Sequence, residues 1–237
     1  MPLRVCLRAR LLLPFPCHDD ASLANGNTTH CNKRVPSGEL CGVAIRGAAD
    51  RHVWWCSKGG SVIRGHNAVR DWLASWLLTR TGSAAALRDV TEQRVQQWDR
   101  TVTVKNAQGQ RVPKLEQAVL DVVFTDKSGL LTYADVTFHT AGTGSAADLT
   151  RHAGSARSGL ADVVDGKLKR YPPAKHPSVG LVPFAVGALG RMSPEAHGLL
   201  ASMATDSQDA RLAYQQLSAL TQRRLADVLR ASEPHKA

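Results

Sequence analysis

No stretch of this chain comes near the ~18 consecutive apolar residues that a membrane-spanning helix needs. One short run near the start, Leu11-Leu12-Leu13-Pro14-Phe15, follows several arginines but is broken by proline. No small-residue cleavage site follows it, so a signal peptide is not expected and the chain reads as soluble and not secreted. Cysteine is missing after residue 56: Cys6, Cys17, Cys31, Cys41 and Cys56 all fall in the first quarter. An odd number crowded at one end does not make a secreted disulfide scaffold, and suits a reducing compartment with a local metal site. Internal repeats are absent. Acidic side chains are in deficit, with 20 Asp and Glu against 30 Lys and Arg, a net charge of +10 over 237 residues. That excess favours a polyanionic partner, because each neutralised phosphate releases condensed counterions. A basic protein with no nucleic-acid role is the plainer alternative.

What is present divides the chain. Residues 1–30 read as an irregular segment, polar and turn-rich from Asp19 to Thr29. Residues 31–62 hold the cysteine-bearing region, and 63–237 read as one domain. His66-Asn67 opens a helical pattern in which Val69, Trp72, Leu73, Trp76 and Leu77 share a face, and Gly82 ends it. Short alternating runs at 94–98 and 101–105 suggest strands. Ala118 to Phe124 reads as one mostly buried strand, Lys127-Ser128-Gly129 as a turn, and Leu130 to His139 as its hairpin partner. After a flexible connector at 140–147, a helix ends near Tyr171 because Pro172-Pro173 cannot continue it. Val179 to Val186 is a further apolar strand. Ser193-Pro194 has the form of a helix cap, and a long amphipathic helix occupies about 207–231 with Leu217, Leu220, Leu225, Val228 and Leu229 inward. This order predicts a mixed α/β layered domain.

Two carboxylates interrupt the apolar strands. Asp121 and Asp135 fall on consecutive strands of the predicted hairpin, where a charge is costly unless it is paired or bound to metal. Side by side they repel, which a cation such as Mg²⁺ relieves while activating a water and offsetting charge on a scissile phosphate. The following helix carries Lys167, Lys169, Arg170 and Tyr171. Lys167 and Tyr171 share a face, and Lys169 points the other way. The alternative is that the two aspartates mark strand edges and the basic helix is simply solvated. For the cysteine region the candidate zinc ligands are Cys31, Cys41, His52 and Cys56, spaced C-x9-C-x10-H-x3-C, with His30, Cys17 and His66 as substitutes. Ordinary reduced cysteines are the competing reading.

The run LEQAVLDVVFTDKSGLLTYADVTFH, then KLKRYPP, then VGLVPFAVGALGR resembles the restriction-like endonuclease domain of R2-type non-LTR retrotransposon proteins. The family pattern is Pro-Asp, about a dozen residues, an Asp-Val-Thr strand, and a helix ending in a Lys/Arg-Tyr motif. Here 13 residues separate Asp121 from Asp135, Asp-Val-Thr stands at 135–137, and Arg170-Tyr171 closes the helix. RGHNAVRDWL at 64–73 is similar to the Arg-His-Asn helix that opens the domain, and His52-x3-Cys56 is similar to the end of the CCHC knuckle before it. Leu120 stands where the family has proline, and a third acidic residue is either Asp71 or absent. The resemblance covers roughly residues 31–205. It implies a PD-(D/E)XK restriction-endonuclease-like core, a mixed sheet flanked by helices, with a small N-terminal zinc-knuckle-like segment. It also implies a Mg²⁺-dependent DNA endonuclease that nicks target DNA, with Asp121, Asp135, Lys167 and Tyr171 catalytic and Asp121 and Asp135 holding Mg²⁺. Structural Zn²⁺ on the knuckle, DNA as partner with RNA as a second polyanion, no membrane partner, and a nuclear or cytoplasmic location follow. The competing expectation is a catalytically inactive nucleic-acid-binding remnant of the same fold.

Overall fold

Why the molecule folds as it does is plainest where apolar residues recur at helical spacing. The computed structural model describes residues 29–30, 39, 41–42, 44–45, 61–81, 93–139, 158–187 and 190–230. Thr29–His30 (β1) pairs antiparallel with Ala44–Ile45 (β2), so the last two residues of the segment expected to be irregular form a short ladder. Helix α1 follows at Ser61–Thr81 and turns Val69, Leu73, Trp76 and Leu77 into the core. It begins five residues before the expected His66, so the boundary drawn at 62/63 falls within its first turn. The expected strand at 94–98 is corrected: only Gln93–Arg94 (β3) is extended, and Gln96–Trp98 winds into a 3-10 turn that buries Trp98. Arg100–Lys105 (β4) and Arg111–Glu116 (β5) form an antiparallel ribbon.

Ala118 to Phe124 is not one strand. Val119–Leu120 (β6) pairs with β3, and Val122–Thr125 (β7) pairs with Leu131–His139 (β8), so Asp121 lies in the bend between two strands rather than inside one. The β7–β8 turn is set by Asp126, whose Oδ1 accepts the N–H groups of Ser128 at 2.8 Å and Leu130 at 3.0 Å. That turn fixes a register of Thr125 against Leu131 and Val122 against Ala134. Continued by one residue, it sets Asp121 opposite Asp135.

Helix α2 (Ser158–Arg170) ends at the residue before Tyr171, as the two prolines require, and leads into Gly180–Gly187 (β9), which runs parallel to β8. Parallel neighbours need such a crossover. Ser193 caps helix α3 (Pro194–Met203), its Oγ accepting the Ala196 N–H at 3.2 Å, and helix α4 spans Ser207–Arg230. The sheet β7-β8-β9 is thus covered on both faces. One face presents Phe124, Ala134, Val136, Phe138, Phe184 and Val186 to α1 and α3, and α4 packs on those two helices with Leu217 and Leu225 inward. The other presents Ala185 to Leu160 and Val164 of α2. Each fully buried large side chain contributes about 1.5–3 kcal/mol, and these two interfaces hold the layers together. Among the described residues the chain is mixed α/β with four α-helices and small sheets, and no helix is long and apolar enough to cross a membrane. The 140–147 connector, and the side chains of Val228 and Leu229, lie outside the described residues.

One glycine sets how closely α1 approaches β8. A Cβ on Gly65 would stand 2.6 Å from Cδ1 of Phe138. Gly65→Ala is expected to cost about 1–3 kcal/mol, the usual penalty of overpacking a core, read as a lowered thermal midpoint. An unchanged midpoint would mean that the helix shifts freely on the sheet.

Candidate active site

The site forms where β7 leaves the edge of β8. Beyond Ala134, β8 continues against β9 alone, so the N–H of Val136 loses its strand partner. Asp121 supplies one: its Oδ2 accepts that N–H at 2.7 Å, while its own N–H donates to the Ala134 carbonyl at 3.2 Å. The bend at Asp121 therefore turns a backbone position into a side-chain cap. Its other oxygen, Oδ1, lies 3.0 Å from Nε2 of His66 on α1. In the tautomer with its proton on Nε2, His66 donates to that oxygen. The close approach that Gly65 permits is what brings the neighbouring His66 into reach.

Asp135 is 4% exposed, and Asp121 is 8% exposed. Lys167 reaches Asp135 from the last turn of α2, its Nζ donating to Oδ1 at 2.7 Å. Oδ2 of Asp135 is buried without a hydrogen-bond partner. Burial pushes the Asp135 carboxyl above the usual carboxylate range, the Lys167 ammonium pulls it down, and the adjacent Asp121 carboxylate pushes it up again. The net direction is upward. Burial, and then the negative charge of Asp135, also raise the Tyr171 phenol, so it keeps its proton at neutral pH.

The structure thus brings together Asp121, Asp135 and Lys167, and sets Tyr171 within the field of Asp135. Tyr171 is 2% exposed and its ring packs at 5.8 Å from Trp98 in a small cluster with Val95, Ala118 and Leu120. Burial of that kind fits positioning the end of α2 better than touching a substrate. Lys169 is exposed, on the face away from Lys167, as the helical spacing requires. Asp71 is not the third member: its side chain is 62% exposed and bonds Arg70. His66 takes that place. It was expected as a helix opener and a spare zinc ligand, yet it continues the stripe of Val69 and Leu73 at steps of three and four, and a polar residue on an inward stripe is the signal that marks it.

Among the described residues no group of three or more His, Cys, Asp or Glu stands together as a metal cage. Mg²⁺ needs no such cage, since one or two carboxylates with waters and phosphate oxygens complete its octahedron. The orphaned Oδ2 of Asp135 beside a second carboxylate fits that donor set, and the absence of clustered thiolates or imidazoles there does not suit zinc. Of the zinc candidates, Cys41 is half-buried against the main core. Cys31, His52 and Cys56, like the substitute Cys17, lie outside the described residues, as does the side chain of His30.

No family model matches the chain, and no curated protein matches it.

Proposed function

We propose that this chain is a Mg²⁺-dependent DNA endonuclease with a PD-(D/E)XK restriction-like core, resembling the domain that nicks target DNA in R2-type retrotransposon proteins. One observation carries this reading: a buried Asp135 with one oxygen on Lys167 and the other unpartnered, opposite a second carboxylate at the end of a hairpin. The helix-hairpin-helix-strand order around it supports the same fold. A buried, raised-pKa carboxyl beside a like charge is costly, and such cost is concentrated at functional sites.

Asp121 and Asp135 would hold Mg²⁺, which when bound supplies Lewis acidity toward the phosphate and lowers the pKa of a bound water. The chain's own residues do the rest. Lys167 has three donors and gives one to Asp135, leaving two for phosphate oxygen or the attacking water. Its charge offsets the negative charge that grows on the phosphorane, in a setting partly shielded from solvent. His66 orients Asp121, so it is a positioning residue. Tyr171 anchors the turn that carries Lys167, its N–H donating to the Lys167 carbonyl at 2.8 Å.

Supercoiled plasmid incubated with Mg²⁺ is expected to become open circle, and EDTA to prevent it. Salt-sensitive DNA binding with no nicking would instead favour the inactive remnant. His66→Ala is expected to lower nicking about 10- to 100-fold, the usual cost of losing a group that orients a metal ligand, with DNA affinity in EDTA unchanged. Full activity in that variant would remove His66 from the site. Structural zinc on Cys31, Cys41, His52 and Cys56 belongs to the same proposal, as does a nuclear location. About one zinc per purified chain is the expected metal content, since such a site binds one ion.

A further inference from the structure

Among the described residues the β4–β5 ribbon packs on almost nothing: no residue from 100 to 116 is buried, and the six ladder pairs have no third strand. An isolated ribbon is marginal in water, so its rigidity has to be local. The tip supplies it: Oδ1 of Asn106 accepts the N–H groups of Gln108 at 3.0 Å and Gln110 at 2.9 Å, and Gly109 takes a φ of 77° that favours glycine. Charge is the second feature. Register places Lys105 directly opposite Arg111 at the tip, and like charges so placed destabilise a hairpin. The ribbon's single acidic residue, Glu116, sits at the base and is bonded by Arg100 at 2.8 Å and by Arg170 at 2.9 Å. Among the described residues no carboxylate forms a salt bridge with Lys105, Arg111 or Lys114.

The geometry points to a DNA-binding arm: we propose that the β4–β5 ribbon lies in the major groove of duplex DNA beside the carboxylate pair, with Lys105, Arg111 and Lys114 on phosphates. The proposal rests on the nuclease reading above. Phosphate relieves the repulsion between Lys105 and Arg111 that the free ribbon has to bear. The size fits: six residues at about 3.4 Å span about 20 Å, and a two-stranded ribbon enters the wide groove of B-form DNA. The deep, narrow major groove of A-form RNA excludes it. The Glu116–Arg170 bridge ties the base of the ribbon to the end of α2, three residues from Lys167, so DNA held by the arm runs on to Asp135.

The test uses the full chain in EDTA, with fluorescence anisotropy on a labelled DNA duplex and a matching RNA duplex over a salt series. The variant is Lys105→Ala with Arg111→Ala and Lys114→Ala. Its DNA affinity at low salt is expected to fall tenfold or more, and the log–log salt slope to become shallower by about 2.7, for three phosphates. RNA binding is expected to change far less, and the thermal midpoint to hold or rise as the tip repulsion goes. An unchanged DNA slope would overturn the arm while leaving the nuclease reading in place. Equal losses on DNA and RNA would overturn groove entry. If the unaltered protein binds no DNA, the nuclease reading falls and the arm falls with it.

Discussion

Plasmid nicking by an Asp135→Asn protein is expected to fall roughly a thousandfold, at the upper end of what one lost electrostatic stabiliser costs, while the fold becomes more stable. Both effects have one cause. Asp135 is buried, and its carboxyl is raised above the ordinary range, first by burial and then by Asp121, against the pull of Lys167. A group whose folded pKa is raised holds its proton more tightly in the native state than in the unfolded chain. Its contribution to stability is full below the unfolded value of about 3.9 and is lost as pH rises through the folded value. At neutral pH the metal-free native protein carries that loss, and asparagine, which never ionises, escapes it. The amide oxygen still accepts from Lys167, so packing is kept. A gain of about 1 kcal/mol raises the thermal midpoint by about 2–4 °C in a chain of this size. The check is a set of melts in EDTA from about pH 4 to pH 8, over which the gap between variant and parent should open as pH rises. Mg²⁺ should then stabilise the parent and not the variant. A lower midpoint for the variant at neutral pH would show that the Asp135–Lys167 pair is there to hold the fold.

How much of this was legible in the sequence depends on whether the cause is local. Ser193 caps α3, Pro172-Pro173 ends α2, and Lys127-Ser128-Gly129 turns the β7–β8 hairpin, because each acts within a few residues of itself. The stripe Val69, Leu73, Trp76 and Leu77 was equally plain. Ribbon strand β5 was missed because Pro113 and the charged positions around it do not read as strand. Pro113 is tolerated there because, among the described residues, the ribbon has no third strand at its edges, which no local pattern reveals. The break at Asp121 was hidden for the opposite reason: apolar residues run on both sides of it, and only the departure of β7 from β8 makes the carboxylate a cap for Val136. His66 became a site residue through Gly65, since the helix must come close to Phe138 before the imidazole meets Asp121. The pair Asp121 and Asp135 was legible because a charge in an apolar strand needs an explanation. Its geometry was not, because it depends on the register that the turn sets.

Lys167→Ala is expected to lower nicking roughly a hundredfold or more, the scale of losing one electrostatic stabiliser in the transition state. Little packing is lost, since the side chain is 28% exposed and acts through its ammonium on Asp135. DNA affinity in EDTA should move little, because one phosphate contact among several goes. The pH dependence should change as well. Lys167 is the partner that pulls the Asp135 carboxyl down, so without it burial and Asp121 act unopposed and the carboxyl rises further. Activity that requires ionised Asp135 should then begin at higher pH, and the acid limb of the pH–rate profile should shift upward. A lysine that merely coats the surface would shift nothing. Lys169→Ala supplies that comparison, from an exposed position on the other face of the same helix turn. Lys167→Arg keeps the charge and should restore part of the rate, though the guanidinium fork does not reproduce a point charge. Equal losses of nicking from the Lys167 and Lys169 variants, an unmoved acid limb, or a loss accounted for by weaker DNA binding would each place Lys167 among the general basic residues. A hundredfold loss with a shifted acid limb and intact binding would put its ammonium at the scissile phosphate.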